Sequence, residues 1–201
     1  CCKIVASNSL DEYLIRDLMM QEAKIDTFGV GERLITAKSA PVFGGVYKLA
    51  AVEDKQGNII PKIKVSENTA KITNPHYKKL YRFYDNESGK ALADELCVYD
   101  ETIDSTKPHT IFDPDAIWKT KTLTDYTARE LHVTVFKNGE LVYKQPSLYE
   151  IRIYCAEQLE TLWDEVKRFE NPHTYYVDLS KKLWEIKNTL LEKSKDGKNL
   201  K

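Results

Sequence analysis

The chain has 201 residues and a net charge of −1 at pH 7, because 30 Lys and Arg residues face 31 Asp and Glu residues. This balance excludes a globally basic surface of the kind that binds nucleic acid or an anionic membrane. The length allows one or two domains with a sizeable core. No apolar run approaches the ~18 residues of a membrane helix, so we expect no membrane partner.

The cysteines and histidines form no recognisable metal or disulfide pattern. Adjacent cysteines are poorly placed for either purpose, and no H-E-x-x-H or paired C-x-x-C spacing occurs. We therefore expect a reduced, cytoplasmic protein with no metal site of its own. The residues concerned are Cys1, Cys2, Cys97 and Cys155, and His76, His109, His132 and His173.

The first 36 residues read as strand, helix and strand, followed by a glycine turn. Residues 3–6 and 24–28 are short enough and apolar enough for buried strands. Ser9 and Glu12 have the S-x-x-E spacing of a capping box, which predicts a helix starting near Leu10.

The turn after the second strand has the outline of a phosphate site. Gly29, Val30, Gly31 and Glu32 follow a strand directly and lead into a helical turn. Backbone N–H groups in such a turn can converge on an anion, and a helix dipole would favour the same charge.

A single strand–helix–strand unit supplies only two parallel strands, and parallel sheets need more strands with both faces covered. The sequence also has no initiator Met and starts just before a strand. We therefore expect residues 1–45 to be the last βα units of an incomplete (β/α) barrel. In such barrels the phosphate site commonly lies after the last two strands.

Residues 46–148 have the pattern of a β-rich region, so the expected fold class is α/β followed by α+β. The turns are marked by Gly57-Asn58, by residues 86–89 and by Asn138-Gly139, a type I′ hairpin signal. Residues 101–121, with Pro108 and Pro114, are expected to form a loop excursion. The predicted strands are residues 46–52, 59–64, 80–84, 96–99, 132–136 and 141–143.

Residues 149–201 are expected to form a C-terminal helical segment with two helices. The first apolar stripe ends before Pro172, and the polar tail from Lys193 is expected to fray. The aromatic residues here favour a small helical core over a base-stacking pocket, and His173 favours a structural role. The stripes are Leu159, Leu162, Trp163, Val166 and Phe169, then Leu183, Trp184, Ile186, Leu190 and Leu191; the other aromatics are Tyr175 and Tyr176.

Several runs resemble nicotinate phosphoribosyltransferases. They are KIVASNSLDEYLIRDL at residues 3–18, the segment from KIDTFGVGER to VYKLAAVE at residues 24–53, PKIKVSEN at 61–68, and RFENPHTYYVDLS at 168–180. The resemblance covers nearly the whole chain, with the motifs in the expected order.

The resemblance implies an enzyme that forms nicotinate mononucleotide and pyrophosphate from nicotinate and phosphoribosyl pyrophosphate, with ATP hydrolysis, in NAD salvage. It implies Mg²⁺ with ATP, no tightly bound cofactor, and a homodimer of a longer chain. More than half of that chain would precede Lys3, including a histidine phosphorylated by ATP and the groups that stack on the pyridine ring and grip the ribose. The resemblance therefore places no catalytic residue here, and we expect this piece alone to be inactive.

The resemblance assigns the 5′-phosphate to the loop Gly29, Val30, Gly31 and Glu32. Relatives often have Thr at the Glu32 position, so we expect the Glu32 carboxylate to point away and only its N–H to contribute. Ser7 and Asn8 end the first strand and are expected near the ribose hydroxyls, although an ordinary helix cap would also explain them.

Lys48, Lys64 and Lys71 match positions where the family contacts the phosphates of the sugar donor or of ATP. A lysine suits this role as a point charge on a long stem. The alternative is a solvated strand face. His76 stands where relatives often have Gly, so the turn there is expected to differ.

Two other functions stay open on the sequence. One is a barrel enzyme that acts on a different phosphorylated sugar, which the opening strand–helix–strand–glycine pattern alone would support. The other is a non-catalytic phosphate-binding or interaction module, whose exposed strand edges would favour association.

Overall fold

The computed structural model describes residues 2–42 and 44–195, in two compact units, Cys1–Tyr47 and Lys48–Lys201. The helices are α1 (Glu12–Met20), α2 (Glu32–Ile35), α3 (Leu148–Glu160) and α4 (Lys181–Lys195), with one 3₁₀ turn at Thr69–Lys71. The strands are β1 (Val5–Ser7), β2 (Thr27–Gly29), β3 (Ala51–Glu53), β4 (Ile59–Pro61), β5 (Lys78–Asp85), β6 (Ala91–Val98), β7 (His109–Asp113), β8 (Ala116–Leu123), β9 (Tyr126–Glu130), β10 (Phe136–Lys137), β11 (Glu140–Leu141) and β12 (Val177–Leu179).

The first unit is a two-stranded parallel sheet with helix α1 as the crossover. β1 pairs with β2 in parallel, as the sequence predicts. Among its described residues only Leu10 is a buried apolar side chain, and α1 buries none. A parallel sheet this small, with so much apolar surface uncovered, has few of the contacts that normally stabilise such sheets.

The capping box predicted at Ser9 and Glu12 is wrong. Helix α1 is capped instead by Asp11, whose carboxylate accepts a hydrogen bond from the Leu14 N–H at 2.8 Å. Ser9 has φ +53°, a left-handed conformation outside the extended range usual for a cap.

The second unit begins with the short antiparallel hairpin β3–β4. Its turn contains Gly57 at φ +85°, as the sequence predicts. The strand predicted for residues 46–52 is largely wrong, since regular pairing starts only at Ala51. The strand predicted for residues 59–64 ends early, at Pro61.

A four-stranded sheet in the order β12-β6-β5-β9 forms the centre of the second unit. β5 pairs antiparallel with both β6 and β9, while β12 adds to the outer edge of β6 in parallel. The sequence predicts β5, its turn at residues 86–89 and part of β6, but it misses β9 and β12. The main buried cluster comprises Tyr81, Phe83, Ala93, Cys97, Ile111, Leu123 and Tyr126.

The loop excursion predicted for residues 101–121 is wrong in its second half. This segment contains the antiparallel hairpin β7–β8, whose register runs from His109 opposite Leu123 to Asp113 opposite Ala116. Pro108 immediately precedes β7 and Pro114 lies in the turn, so neither proline needs a ladder N–H.

The predicted Asn138-Gly139 turn is confirmed, with φ +52° and +82° at its two residues, as a type I′ turn requires. It joins the two-residue strands β10 and β11. The strand predicted for residues 132–136 is otherwise wrong, because residues 132–135 have no regular ladder.

The helical region differs most from the expectation. Most of the stripe at residues 159–169 is not helical, because only Leu159 lies in a helix, the last turn of α3. Leu162 and Val166 belong to single turns in which N–H groups bond to carbonyls three residues earlier. The predicted change to helix near Tyr149 is confirmed by α3, which begins at Leu148 after a Ser147–Glu150 capping box.

The second predicted helix is confirmed as α4. Its stripe includes the fully buried Leu183, which packs with Val98 and Leu179. The expected fraying from Lys193 does not begin there, since the helix runs to Lys195, and the rest of the tail lies outside the described residues. No helix in the described ranges has the length and apolar character to cross a membrane.

Candidate functional site

The carboxyl ends of β1 and β2 lie side by side, because Ser7 and Gly29 are register partners in the parallel pair. A Cβ atom on Gly29 would stand 3.2 Å from the Ser7 Cβ and 3.7 Å from the Ala6 carbonyl oxygen. A side chain at this position would be crowded against Ser7, so the close approach of the two strand ends favours glycine. The ribose-side and phosphate-side candidates are thus neighbours.

The chain turns sharply just after β1. Asn8 has φ +88° and Ser9 has φ +53°, two consecutive non-glycine residues in the left-handed region. Such residues typically cost of order 1 kcal/mol each and gather at binding sites. The strain lies at the strand end where the sequence analysis places the Ser7–Asn8 corner.

Gly31 ends the turn and begins α2 without a side-chain cap. Its carbonyl accepts hydrogen bonds from the Leu34 and Ile35 N–H groups, each at 3.1 Å. The N–H groups of the first residues of any helix have no partner within it. A Cβ on Gly31 would meet nothing within 4 Å among the described atoms, so the space above this residue is open.

Helix α2 has only four residues, so its dipole adds little to this turn. Any attraction for an anion rests on the individual backbone N–H groups. The expected contribution of a helix dipole is accordingly small.

The Glu32 side chain extends toward Lys38, with its carboxylate 3.1 Å from the Lys38 ammonium. Both side chains are exposed. The ion pair partly offsets the negative charge that would repel a phosphate held by the turn.

Two of the three candidate lysines lie together in the second unit. The Lys48 ammonium donates a hydrogen bond to the Lys71 carbonyl oxygen at 2.6 Å. An ammonium has three donors, so two stay available for a ligand. Lys64 is exposed after β4, and its carbonyl accepts from the Thr73 N–H at 3.4 Å. His76 has φ +79°, a conformation that favours the glycine expected there.

The sequence analysis missed a charged cluster on the central sheet. Arg82 binds Asp94 through two hydrogen bonds, of 2.8 and 2.9 Å, and the Tyr175 hydroxyl donates to the same carboxylate at 2.8 Å. Burial and the hydrogen bond to Asp94 raise the pKa of the Tyr175 hydroxyl. Arg82 and Asp94 are register partners in the β5–β6 pair. The predicted turn at residues 86–89 could have revealed this pairing, but the bulge between Phe83 and Tyr84 shifts the register.

A second buried polar group lies beside the core. The Glu95 carboxylate, on a residue 2% exposed, is 2.8 Å from His109 Nε2 and 3.4 Å from the Cys97 sulfur. Burial, then the Glu95 charge, raises the pKa of the Cys97 thiol, so this cysteine is an unreactive core residue. Each member has a partner, which fits a structural role.

Among the residues that the structure describes, no three His, Cys, Asp or Glu side chains gather where they could hold a metal ion. The Mg²⁺ that the resemblance implies therefore finds no ligand set in these ranges.

The predicted aromatic core is only partly correct. Trp184 lies on α4, donates to the Pro114 carbonyl at 3.1 Å and meets Phe112 edge to face. Trp163, Tyr175 and Tyr176 lie outside any helix and line a cavity. The His173 N–H donates to the Glu165 carbonyl at 2.8 Å, a structural bond that involves its backbone.

Comparison with known proteins gives consistent results. Residues 77–187 match the family described as "Nicotinate phosphoribosyltransferase C-terminal domain". The nicotinate phosphoribosyltransferase of Bacillus subtilis is 39% identical over 92% of this chain and 38% of its own length. The enzyme of the same name from Caenorhabditis elegans is 34% identical over 93% of this chain and 33% of its own.

A solved structure, the human nicotinic acid phosphoribosyltransferase, shares the fold with a TM-score of 0.67 at 24% identity, covering 94% of this chain and 33% of that one. The mixed α/β, sheet-rich architecture is therefore that of the family. This chain spans about a third of the length of the relatives it matches. On the matched family and these identities, the chain belongs to the nicotinate phosphoribosyltransferase family and corresponds to its C-terminal region.

Proposed function

We propose that this chain supplies the 5′-phosphate end of a nicotinate phosphoribosyltransferase, as part of a longer polypeptide. That enzyme joins nicotinate to phosphoribosyl pyrophosphate, giving nicotinate mononucleotide and pyrophosphate, with ATP hydrolysis. The observation that carries the proposal is the register pairing of Ser7 with Gly29, directly before the open Gly31 turn. It supports a site in which ribose and phosphate contacts come from neighbouring strand ends.

In the proposed site the protein mainly positions and neutralises its substrate. Displacement at an anomeric carbon develops positive charge on the sugar, and little covalent chemistry is asked of side chains. Fixed N–H groups at residues 29–32 would hold the 5′-phosphate without reorganisation. The Ser7 hydroxyl and the Asn8 amide, which can both donate and accept, would face the ribose hydroxyls.

Lys48, Lys64 and Lys71 are the proposed contacts to the pyrophosphate or to ATP. The hydrogen bond from Lys48 to the Lys71 carbonyl fixes the direction of one ammonium. Fixing it beforehand lowers the entropy lost when a phosphate binds. Homodimerisation and ATP use belong to the same proposal, and membership of the family is what supports them.

The loop assignment is tested with Gly31→Asp in the polypeptide that carries this sequence in cells. Because no atom lies within 4 Å of a Gly31 Cβ, the variant should fold normally. We expect the KM for phosphoribosyl pyrophosphate to rise by about tenfold or more, since repulsion between two unit charges about 4 Å apart costs about 1–4 kcal/mol and about 1.4 kcal/mol is tenfold. The KM for ATP should change little.

Gly31→Asn is the matched control, because asparagine has nearly the same size and shape as aspartate without the charge. It should raise the KM for phosphoribosyl pyrophosphate less than Gly31→Asp does. Equal rises for ATP and phosphoribosyl pyrophosphate would remove the turn from the proposed role.

The enzymatic assignment is tested by capturing that native polypeptide and assaying labelled nicotinate with phosphoribosyl pyrophosphate and ATP. Formation of nicotinate mononucleotide by a polypeptide larger than 23.2 kDa supports the proposal. We expect the 201-residue chain alone to show no turnover. Turnover by the chain alone would refute the expectation that the catalytic groups lie elsewhere.

A further inference from the structure

A cavity of about 570 Å³ lies within the second unit, between the hairpin β7–β8, the start of β6 and the segment 163–178. Its volume falls in the range of small-molecule sites. It contains none of the residues proposed for phosphate or ribose binding. The residues that matter for its chemistry are Phe112, Asp113, Lys119, Trp163, Tyr176 and Asp178.

Asp178 is a mostly buried carboxylate in the wall of this cavity. The residue is 5% exposed, and among the described residues no hydrogen bond or ion pair reaches its carboxylate. Burial, then the charges of Asp113 and Glu95, raises the pKa of Asp178 to about 6. A buried carboxylate of this kind is normally paired, as Asp94 is with Arg82 and Tyr175.

Neither lysine of the lining supplies the missing charge, because Lys119 and Lys121 are both exposed and neither is bonded to Asp178. Lys119 lies 3.5 Å from the Asp113 carboxylate, and its side chain is 66% exposed. It offsets the charge of Asp113, while Asp178 is left facing two acidic neighbours. The deep wall of the cavity is therefore acidic, and an anionic ligand would be repelled there.

Aromatic rings complete the cavity. Trp163 and Tyr176 line it while 43% and 49% exposed, so part of each side chain is open to a ligand. The Tyr175 ring is already engaged, with the Arg82 guanidinium 5.7 Å from its centroid. Open aromatic faces beside a carboxylate attract a cation with an apolar body.

We propose that this cavity binds a small organic amine, with its ammonium on the Asp178 carboxylate and its apolar body against Trp163 and Tyr176. The ammonium supplies the donor that Asp178 lacks and offsets the repulsion from Asp113. The body fills space that is lined mainly by apolar and aromatic atoms. The proposal is independent of the phosphate site and of the activity proposed above.

The test uses the full polypeptide that carries this sequence in cells, with 2-phenylethylamine as the probe and 2-phenylethanol as its neutral counterpart. Binding is followed at pH 8 by the NMR shift of the Trp163 indole N–H. We expect the amine to bind at least about tenfold more tightly than the alcohol, since it alone can pair with an ionised carboxylate. Equal affinity for the two, or no binding of the amine, would overturn the proposal.

Asp178→Asn removes the charge and keeps the shape. We expect it to abolish the preference for the amine, while Glu87→Gln, in the exposed turn before β6, leaves that preference unchanged. A preference retained in Asp178→Asn would also overturn the proposal. Should that variant fail to fold, the comparison of amine with alcohol on the unaltered chain still decides.

Discussion

Asp94 and Asp100 lie close in the sequence, yet their carboxylates differ sharply in environment. The Asp94 side chain is 6% exposed and binds both Arg82 and Tyr175, whereas the Asp100 side chain is 49% exposed and pairs with Lys182 on the surface. Breaking a buried pair leaves an uncompensated charge, while water replaces a surface partner. The two residues should therefore differ widely in their importance to stability.

We expect Asp94→Ala to lower the free energy of unfolding by about 3–5 kcal/mol, because the Arg82 guanidinium and the Tyr175 hydroxyl lose their shared acceptor. Asp100→Ala is the matched control and should cost under about 1 kcal/mol. Urea denaturation followed by circular dichroism measures both. A loss for Asp94→Ala no larger than that of the control would show that the cluster does not stabilise the sheet.

Asp178 should make stability depend on pH in an unusual direction. Folding raises its pKa from 3.8 to about 6, through burial and the charges of Asp113 and Glu95. The folded state therefore holds this proton more tightly than the unfolded state. The stabilisation of the folded state that comes from this tighter proton binding is fully present below about pH 4. It is lost as the pH rises through about 6, where the folded Asp178 ionises.

Asp178→Asn removes this dependence. Relative to the unaltered chain, the variant should gain on the order of 2 kcal/mol in stability at pH 8 compared with pH 4, since each pKa unit is worth 1.36 kcal/mol. Urea unfolding at both values measures the difference, with Glu87→Gln as the control. A difference that does not change with pH would mean that Asp178 is solvated in the folded state.

At the scale of elements, both helices of the first unit end in the same way without glycine. After α1 the Ala23 N–H bonds to the Leu18 carbonyl, and after α2 the Lys38 N–H bonds to the Arg33 carbonyl. The residue before each of these N–H donors has a positive φ: Glu22 at +56° after α1 and Ala37 at +46° after α2. These are Schellman ends, where glycine avoids the steric cost of a Cβ.

We expect Ala37→Gly to slow amide exchange in α2 and to stabilise its end by about 1 kcal/mol, because Ala37 is exposed and only its Cβ is lost. Glu22→Gly should act similarly on α1. Ala40→Gly, outside the positive-φ positions, is the control and should give no gain. Faster exchange in α2 after Ala37→Gly would contradict the strain argument.

The elements that the sequence predicts well are those whose local signals agree with their packing. Gly57, residues 86–89 and Asn138-Gly139 mark their turns correctly, because positive φ is a local demand. Helix α4 is recovered because its stripe is buried against β6 and β12. In each case the signal lies within a few residues of the feature.

The failures arise where tertiary contacts decide. The spacing of Leu159, Leu162 and Val166 is that of a helix, but α3 ends at Glu160 and the chain then makes separate turns. The start of helical structure near Tyr149 is predicted, but the apolar stripe places the helix too far along the chain, because α3 has no buried residue and hence no single apolar face. β12 is only three residues long and exists through pairing with β6, which no local pattern announces.

The candidate site, too, has parts that local sequence signals predict and parts that depend on tertiary contacts. The Gly29–Glu32 turn and the strand ends at Ser7 and Asn8 are readable locally, and the structure places them in one unit. The cavity at Asp178 needs β7, β8 and the segment 163–178 to come together, so the sequence alone could not indicate it.

At the scale of the whole molecule, the two units differ in how much apolar surface they bury. Leu10 is the buried apolar residue of the first unit's described part, while the large clusters lie in the second. Local stability follows buried contacts, so the first unit should open more readily.

In the 201-residue chain we expect the amides of β1 and β2 to exchange at least about 100-fold faster than those of β5 and β6. Hydrogen exchange followed by mass spectrometry measures the ratio. Helix α4, packed on Val98 and Leu179, provides the internal reference for slow exchange. Equal protection in the two units would mean that the first unit is stable without further partners.

The parallel pairing of β12 with β6 has a kinetic consequence. Tyr175 and Asp94, whose side chains bond beside this pairing, stand 81 positions apart in the chain. Contacts of such high sequence separation form late in folding, because the chain loses the entropy of a long loop before the contact contributes any stabilisation. During synthesis the outer edge of β6 would therefore stay unpaired until β12 emerges. For that interval the nascent chain presents an open strand edge, which is the stage at which a chaperone would matter most.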